Sequence, residues 1–237
     1  MPDRYFCDDL QPATVELTDS EAHHAQHVMR LKVGDTVSLF DGQGTIADGT
    51  VSHFTRRAVR VELVDRQTLP EPNVGQVTIA AAVPKGDRVK WMVEKLTELG
   101  VHRWVPLNCH RSVTAPGQSR LQKLQATVIS ACKQSGRVHL MQIDAAQSFS
   151  ESIRETHERD DELWIADLSH DAATSWRPAN RTEPAGRTIL IGPEGGFTQE
   201  EVDEAVTSGA RRTFIAGHVL RTETAAVAFA AIAAASR

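Results

Sequence analysis

The amino-acid sequence predicts an α/β protein with a mostly parallel sheet, preceded by a small β-barrel. Residues 1–70 contain short β-branched runs separated by turn residues, which is typical of a small barrel. Residues 69–76 hold two prolines and show no hydrophobic period, so they mark a linker. Beyond the linker, apolar runs alternate with helical periods, which indicates a sheet whose strands are buried on both faces.

The barrel is predicted from three strands and one helix. A helix over Ser20–Arg30 comes first, with Ser20 as its cap and Gly34 just beyond its end. The strands are the β-branched runs at residues 37–40, 45–51 and 58–64. We therefore place a first domain at residues 1–70 and a second at residues 75–237.

The second domain is predicted from alternating strands and helices. Its strands are apolar or β-branched runs at residues 77–83, 104–107, 139–143, 163–168, 188–192 and 213–217. Its helices have a period of 3.6 and lie at residues 87–99, 119–132, 150–158, 198–208 and 224–236. The helix at 198–208 opens with the capping box Thr198-x-x-Glu201 and closes at Gly209.

The composition excludes several classes of protein. The 237 residues carry a formal charge of −5, which argues against a uniformly basic nucleic-acid-binding protein. Three cysteines without a C-x-x-C pair exclude a disulfide framework and the usual zinc ribbons. There is no signal-peptide core, and the apolar run at 225–235 is shorter than the about 20 residues that span a bilayer. We expect a soluble cytoplasmic protein without membrane association.

The net charge hides one basic segment. Residues 85–140 carry a net charge of +7, whereas residues 1–70 carry −4 and residues 141–237 carry −7. Such a segment binds phosphates if it folds onto one face, and otherwise it is a charge run scattered around two helices. Within it, residues 110–112 and 134–137 combine cations with hydrogen-bonding side chains that suit RNA.

Two apparent motifs are better explained as ordinary structure. Gly42-x-Gly44-x-x-Ala47 resembles a dinucleotide fingerprint, but a strand follows it where a pyrophosphate site needs a helix N-terminus. We interpret it as a hairpin turn. The histidines at positions 23, 24 and 27 lack the carboxylate or cysteine partner that would complete a metal site, so we predict no metal.

The most informative motif is Ile191-Gly192-Pro193-Glu194-Gly195-Gly196-Phe197, which lies between a buried strand and a capped helix. Open α/β sheets bind ligands at that position. Its glycines let the backbone approach a ligand, and Glu194 disfavours a phosphate, so a cationic or neutral adenosyl group suits it better. A purely structural strand-to-helix turn is the alternative.

The segment from Ala216 to Ala225, AGHVLRTETA, repeats this design. A buried strand ends in Gly217, a loop follows, and a helix begins near Thr222. Arg221 and Glu223 would then lie at the mouth of that helix. The alternative is that Thr222 caps the helix and Glu223 complements its dipole. Two glycine-bearing loops at adjacent strand ends favour a ligand site.

Four segments, LIGPEGGFTQEE, AGHVLRTETAA, PKGDRVKWMVEKLTELGV and QSGR, resemble the ribosomal small-subunit RNA (uridine-N3)-methyltransferases, which are S-adenosylmethionine-dependent enzymes of the SPOUT class. HHAQHVMRLKVGDTVSLFDGQG is similar to that family's PUA-like barrel. The resemblance covers nearly the whole chain. It implies a C-terminal trefoil knot, an RNA-binding barrel, a homodimer, and N3 methylation of one uridine in 16S ribosomal RNA, either free or in the assembled subunit.

The resemblance also implies roles for single residues. Those that would line the methyl donor are Leu190, Gly192, Pro193, Glu194, Gly196, Gly217 and Leu220. Arg221 would stabilise charge developing on the uracil, and Glu223 would orient Arg221 or act as a base. Candidates for RNA contacts are Arg30, Arg111, Gln134 and Arg137, with Arg4 as a further one. Departures from the family pattern are Ala216, Lys133 and the absence of a proline after Arg137.

Two other functions fit the same features. One is a non-catalytic RNA-binding adaptor, against which the intact GPEGG and LRTETA segments argue. The other is a metabolic α/β enzyme that uses an adenine nucleotide. For the oligomer, the last helix has eight alanines in residues 225–235, which allows close helix packing. We predict that it helps to form the dimer, with Ala230 and Ala234 as the positions to test.

Overall fold

The computed structural model describes residues 3–71, 75–112, 118–168, 174–175 and 186–235, and the chain forms two compact units. The N-terminal unit comprises residues 1–71 together with 129–140, and the C-terminal unit comprises residues 72–128 and 141–237. Residues 129–140 thus pack with the N-terminal unit, although they lie inside the span predicted for the second domain.

The N-terminal unit is built on a five-stranded sheet in the order β1-β3-β4-β5-β2. Its strands are β1 (Arg4–Phe6), β2 (Thr14–Thr18), β3 (Thr36–Phe40), β4 (Thr45–Phe54) and β5 (Ala58–Thr68). All pairings are antiparallel except that of β1 with β3. Alternate side chains such as Val15, Leu17 and Val61 fill one core. The three predicted strands are present, and β1 and β2 were missed.

The first helix differs from its prediction. Helix α1 (Asp19–His23) continues as a π-helical turn, His24–Val28, and Arg30 beyond it has a φ of 57°. Ser20 is not the cap, because Thr18 occupies the N-cap position without a side-chain hydrogen bond. The segment at Gly42 and Gly44 joins antiparallel strands β3 and β4, as predicted for a hairpin turn.

The C-terminal unit contains a sheet in the order β11-β13-β10-β12-β6-β7-β8, with β9 also paired to β7. Every pairing among the described strands is parallel. The strands are β6 (Val77–Ala82), β7 (Arg103–Asn108), β8 (Gln142–Ile143), β9 (Gln147–Ser148), β10 (Glu162–Ala166), β11 (Thr174–Ser175), β12 (Arg187–Ile191) and β13 (Arg211–Phe214). The predicted α/β class with a parallel sheet is confirmed.

Strand β8 is shorter than predicted for a structural reason. Residues 139 and 140 pack in the N-terminal unit, where His139 bridges Gln43 and the Leu140 N–H donates to the Gly42 carbonyl at 2.9 Å. They therefore do not extend the parallel sheet.

The described residues contain five further helices: α2 (Arg88–Glu98), α3 (Gln118–Ser135), α4 (Phe149–Glu158), α5 (Gln199–Thr207) and α6 (Thr222–Ala235). Helix α6 packs on α2, β6 and β12, and α4 packs on β7, β10 and α5. The predicted capping box of α5 is present, since the Glu201 carboxylate accepts the Thr198 N–H at 2.8 Å. Within the described ranges, no helix is both long and apolar enough to cross a bilayer.

The predicted trefoil knot is a property of the complete chain path. Residues 169–173 and 176–185, between β10 and β12, lie outside the described residues. The knot therefore stays a prediction.

Candidate active site

A pocket of about 280 Å³ lies at the carboxyl ends of three neighbouring strands, β13, β10 and β12. Its walls come from residues 166–168, 191–197, 213–216 and 218–220 and from the first turns of α6. This edge of a parallel sheet is where α/β proteins bind ligands, and the volume is close to the small end of ligand pockets. The two predicted glycine loops are not on adjacent strands, because β10 lies between them.

Most of the predicted donor-binding residues line this pocket. Those that do are Gly192, Pro193, Glu194, Gly196 and Leu220. Leu190 instead packs in the core of the sheet, and Gly217 lies between two lining residues, Ala216 and His218. Sequence reasoning missed the loop after β10, which contributes Ala166–Leu168 but contains no glycine to signal it.

The loop after β12, residues 192–197, is a tight turn that needs its glycines. Gly196 has a φ of 69°, and its N–H donates to the Pro193 carbonyl at 2.8 Å. A Cβ at Gly192 would lie 3.3 Å from the ring of Phe197, which packs edge-on against Phe149. We call this segment the donor loop.

Helix α6 begins against the donor loop. The Thr222 hydroxyl donates to the Gly192 carbonyl at 3.0 Å, and Thr222 is only 2% exposed. The sequence also allowed Thr222 to cap α6, with its hydroxyl oxygen as an acceptor. In the structure the hydroxyl instead donates to the donor loop.

An ion-pair network joins the donor loop to the start of α6. The Arg88 Nη1 lies 3.2 Å from a Glu194 oxygen and 3.3 Å from a Glu223 oxygen. Glu223 is 5% exposed, so its carboxylate is buried against this guanidinium. The contact of Glu223 is with Arg88, so its predicted roles in orienting Arg221 or acting as a base stay predictions. No local pattern marked Arg88, whose two partners are more than a hundred positions away.

Arg221 lies in a different environment. Its neighbours Leu220 and Thr222 line the pocket, while its own side chain is exposed. Among the described residues, its guanidinium has no hydrogen bond or ion pair. The preceding residue pair, His218 and Val219, is also exposed, with Val219 at 77%. We call residues 215–221 the open loop.

Arg111, a predicted RNA-contact residue, braces the donor loop. Its Nη1 donates to the Gly195 carbonyl at 2.7 Å and to the Phe197 carbonyl at 3.2 Å. The neighbouring His110 N–H donates to the Glu201 carboxylate at 2.7 Å. Burial, with a contribution from the Glu201 charge, raises the pKa of the nearby Cys109 thiol to about 12. That thiol stays protonated at neutral pH and is no nucleophile.

A second carboxylate lines the pocket at the end of β10. Asp167 is paired with Arg212, whose Nε lies 2.9 Å from Oδ2. Asp167 and Glu194 thus place negative charge at the pocket wall, each held by an arginine. A cationic ligand fits this wall better than a phosphate does. In the described ranges, no group of three or more acidic, His or Cys residues is arranged to hold a metal ion.

The other predicted RNA-contact residues belong to the N-terminal unit. Arg30 and Gln134 are exposed, and Arg4 and Arg137 are partly buried. The basic surplus of residues 85–140 is partly neutralised within the chain. Residues of that segment that form ion pairs are Arg88, Lys95, Arg103 and Lys133. Lys95 pairs with Glu98, three residues along α2, at 2.8 Å.

Comparison with known proteins decides the family. The model of an RNA methyltransferase domain matches residues 70–234, and that of an RNA methyltransferase PUA domain matches residues 17–64. The ribosomal RNA small subunit methyltransferase E of Synechocystis is 31% identical over 217 residues, covering 90% of this chain and 70% of the relative. The chain belongs to the ribosomal RNA small subunit methyltransferase E family. The relative from Aquifex aeolicus is also 31% identical, covering 96% of this chain and 97% of its own.

Solved structures agree with this methyltransferase family. A ribosomal RNA small subunit methyltransferase E from Neisseria gonorrhoeae, bound to S-adenosylmethionine, is 26% identical with a TM-score of 0.84, covering 98% of this chain and 95% of its own. A probable rRNA-methyltransferase from Porphyromonas gingivalis is 28% identical with a TM-score of 0.86, covering 100% of both chains. The predicted resemblance is confirmed.

Proposed function

We propose that this methyltransferase transfers the methyl group of S-adenosylmethionine to N3 of one uridine in small-subunit ribosomal RNA. The observation that carries the proposal is the pocket that both glycine motifs form at the ends of β12 and β13, with Arg221 exposed beside it. The Neisseria gonorrhoeae relative was crystallised with S-adenosylmethionine, which supports the same donor here.

The pocket suits this donor. Ile191, Phe197 and Phe229 offer apolar surface to an adenine, and the glycine backbone lets a ligand approach closely. The carboxylates of Asp167 and Glu194 suit a cation. A bound donor supplies an electrophilic methyl group, so the protein has to align the uridine more than to activate the donor.

Arg221 is the residue that we assign to charge stabilisation. Uracil N3 becomes a good nucleophile once it loses its proton, and negative charge then spreads over the ring oxygens. A guanidinium with no partner in the described chain can donate hydrogen bonds to those oxygens as the charge develops. We place the RNA backbone on Arg30, Gln134 and Arg137 of the N-terminal unit, and the PUA-domain match to residues 17–64 supports Arg30.

The direct test is transfer of tritiated methyl groups to ribosomal RNA, followed by mapping of the modified base. Free 16S RNA and assembled small subunits are assayed in parallel, and N3-methyluridine in one of them is the expected product. Label on another atom would contradict the N3 assignment, and no transfer to either substrate would contradict catalysis. Titration calorimetry with S-adenosylmethionine and ATP separates the methyltransferase from an adenine-nucleotide enzyme.

We also propose that the enzyme is a cytoplasmic homodimer that uses α6. In the structure Ala231, and not Ala230, is the suitable position to test the dimer. Ala230 is 1% exposed and packs inside the chain itself, so enlarging it would disturb the fold. Ala231 is exposed on the same helix. Ala231→Phe is expected to give a monomer by analytical ultracentrifugation with an unchanged circular dichroism spectrum, and a persistent dimer would contradict the role of α6.

A further inference from the structure

One guanidinium holds two carboxylates that come from different loops. The Arg88 Nη1 contacts Glu194 of the donor loop at 3.2 Å and both Glu223 oxygens at 3.3 and 3.4 Å. Its Nε donates to the Lys85 carbonyl at 3.3 Å, which fixes the other side of the group. Helix α2 therefore presents one cation to both the donor loop and α6.

The burial of Glu223 makes its contact with Arg88 important for local stability. Glu223 is 5% exposed, so without Arg88 a carboxylate would remain buried without a counter-ion. Losing one partner of a buried ion pair is strongly destabilising locally, whereas neutralising both partners is not. The expected local response to loss of Arg88 is movement of the start of α6 away from its buried position.

The start of α6 carries the proposed catalytic arginine. Arg221 directly precedes Thr222 and Glu223, and both of these are pinned, Thr222 to Gly192 and Glu223 to Arg88. The backbone at Arg221 is thus fixed by two contacts on the residues that follow it. The side chain of Arg221 is exposed, so those contacts are what limit where its guanidinium can reach.

We propose that Arg88 is a positioning residue for methyl transfer. Through Glu223 it fixes the helix start that carries Arg221, and through Glu194 it holds the donor loop at the pocket wall. Arg88 is absent from the described lining of the pocket, so it acts through these two carboxylates and not on the donor itself. The proposal rests on the proposed function for its kinetic part.

The test is a double-mutant cycle between Arg88 and Glu223. Arg88→Met is expected to lower kcat on the order of 10- to 100-fold, since small displacements of catalytic groups have effects of that size. Glu223→Gln keeps the shape but removes the charge that needs Arg88. In the Glu223→Gln background, Arg88→Met is expected to change kcat by less than about threefold. Equal losses in both backgrounds would overturn the positioning of Arg221 through Glu223, because they would mean that Arg88 affects kcat independently of Glu223.

The matched control is Lys90→Met, which removes an exposed cation from the same helix. It is expected to keep kcat within about twofold. A loss as large as that of Arg88→Met would show that charge on α2, and not the bridge, matters, and it would overturn the proposal. If Arg88→Met does not fold by circular dichroism, Arg88→Gln, which also removes the charge, replaces it in the same cycle under the same criterion.

A second measurement separates this inference from the proposed function. Calorimetric titration with S-adenosylmethionine needs no RNA, and Arg88→Met is expected to weaken donor binding about three- to tenfold through the freed Glu194. Glu194→Gln should abolish that sensitivity to Arg88. If no RNA substrate is methylated, the proposed function fails while this arm still decides whether Arg88 orders the donor loop; unchanged donor affinity in Arg88→Met would refute that.

Discussion

The donor loop and the open loop occupy equivalent places at the ends of β12 and β13, but they differ in the side-chain contacts that hold them. The donor loop is held by Arg111 on two carbonyls, by Thr222 on a third and by Arg88 on its carboxylate. The open loop exposes His218, Val219 and Arg221. The donor loop is thus ordered by contacts within the protein, whereas the polar side chains of His218 and Arg221 in the open loop are exposed to a ligand.

This contrast matches the two substrates that we propose. A small donor that is always the same benefits from a preorganised wall, because ordering the loop then costs nothing on binding. An RNA base has to be aligned by groups that are not already engaged in the protein. The contacts therefore agree with a preorganised wall for the donor on the donor loop, and with an Arg221 that is available to the uridine.

The largest expected effect tests the open loop. Arg221→Ala should lower kcat on the order of 1,000-fold, because it removes the proposed charge-stabilising group. Donor affinity by calorimetry should stay within about twofold. Arg154→Ala, which removes an exposed arginine on α4, is the matched control and should leave turnover unchanged. Full activity of Arg221→Ala would refute its role.

The next largest effects are expected from substituting one glycine in each loop. Gly192→Ala brings a methyl group to 3.3 Å from the Phe197 ring and should cost about 1–3 kcal/mol of stability as well as donor affinity. At Gly217 an added Cβ has no described atom within 4 Å, so Gly217→Ala should leave Tm unchanged. If the donor lies there, its affinity should fall about tenfold in both variants. An unchanged affinity in Gly217→Ala would remove Gly217 from the donor site.

Arg111 tests how the brace acts. Arg111→Ala removes hydrogen bonds to the Gly195 and Phe197 carbonyls and should weaken donor binding about five- to tenfold without RNA present. The control is Arg57→Ala, an exposed arginine of the N-terminal unit. If Arg111→Ala changes only RNA affinity, the predicted RNA-contact role holds and the bracing role does not.

The smallest expected effect concerns the link between the two loops. Thr222→Val leaves the Gly192 carbonyl without its donor and should cost about 1 kcal/mol of unfolding free energy by urea titration. Thr224→Val, on the exposed side of α6, should cost less than about 0.5 kcal/mol. Similar costs at both positions would mean that the Thr222 hydrogen bond contributes nothing.

Much of the fold could be predicted from the sequence, because buried apolar residues recur in the patterns that helices and strands require. The run at residues 77–82 reads as a strand buried on both faces, and all six of its residues are buried. Strand β13 was placed too late, at residues 213–217, because it begins with two arginines that pair with Glu162 and Asp167. Its predicted end, residues 215–217, instead belongs to the open loop. Strand β1 was missed because three residues are too few for a period to show, and β2 because only Val15 and Leu17 of its five residues are apolar.

The site was predictable where the backbone is unusual and unpredictable where distant side chains meet. The glycines of the donor loop leave a local signal. The ion pairs of Arg88 with Glu194 and Glu223 leave none, because the partners are distant in sequence until the fold brings them together. Counting charges along the chain likewise ignores the acidic partners that the fold brings to the basic segment. Arg103 pairs with Asp144 and Lys133 with Glu21.

The return of residues 129–140 to the N-terminal unit gives the chain a built-in order of assembly. In the folded protein the Glu21 carboxylate pairs with the Lys133 ammonium at 2.8 Å, and the Gly42 carbonyl accepts the Leu140 N–H at 2.9 Å. As the chain leaves the ribosome, residues 1–71 emerge first but cannot complete these contacts until residue 140 has been made. The N-terminal unit therefore cannot finish folding until residues 72–128, which belong to the other unit, have also been translated.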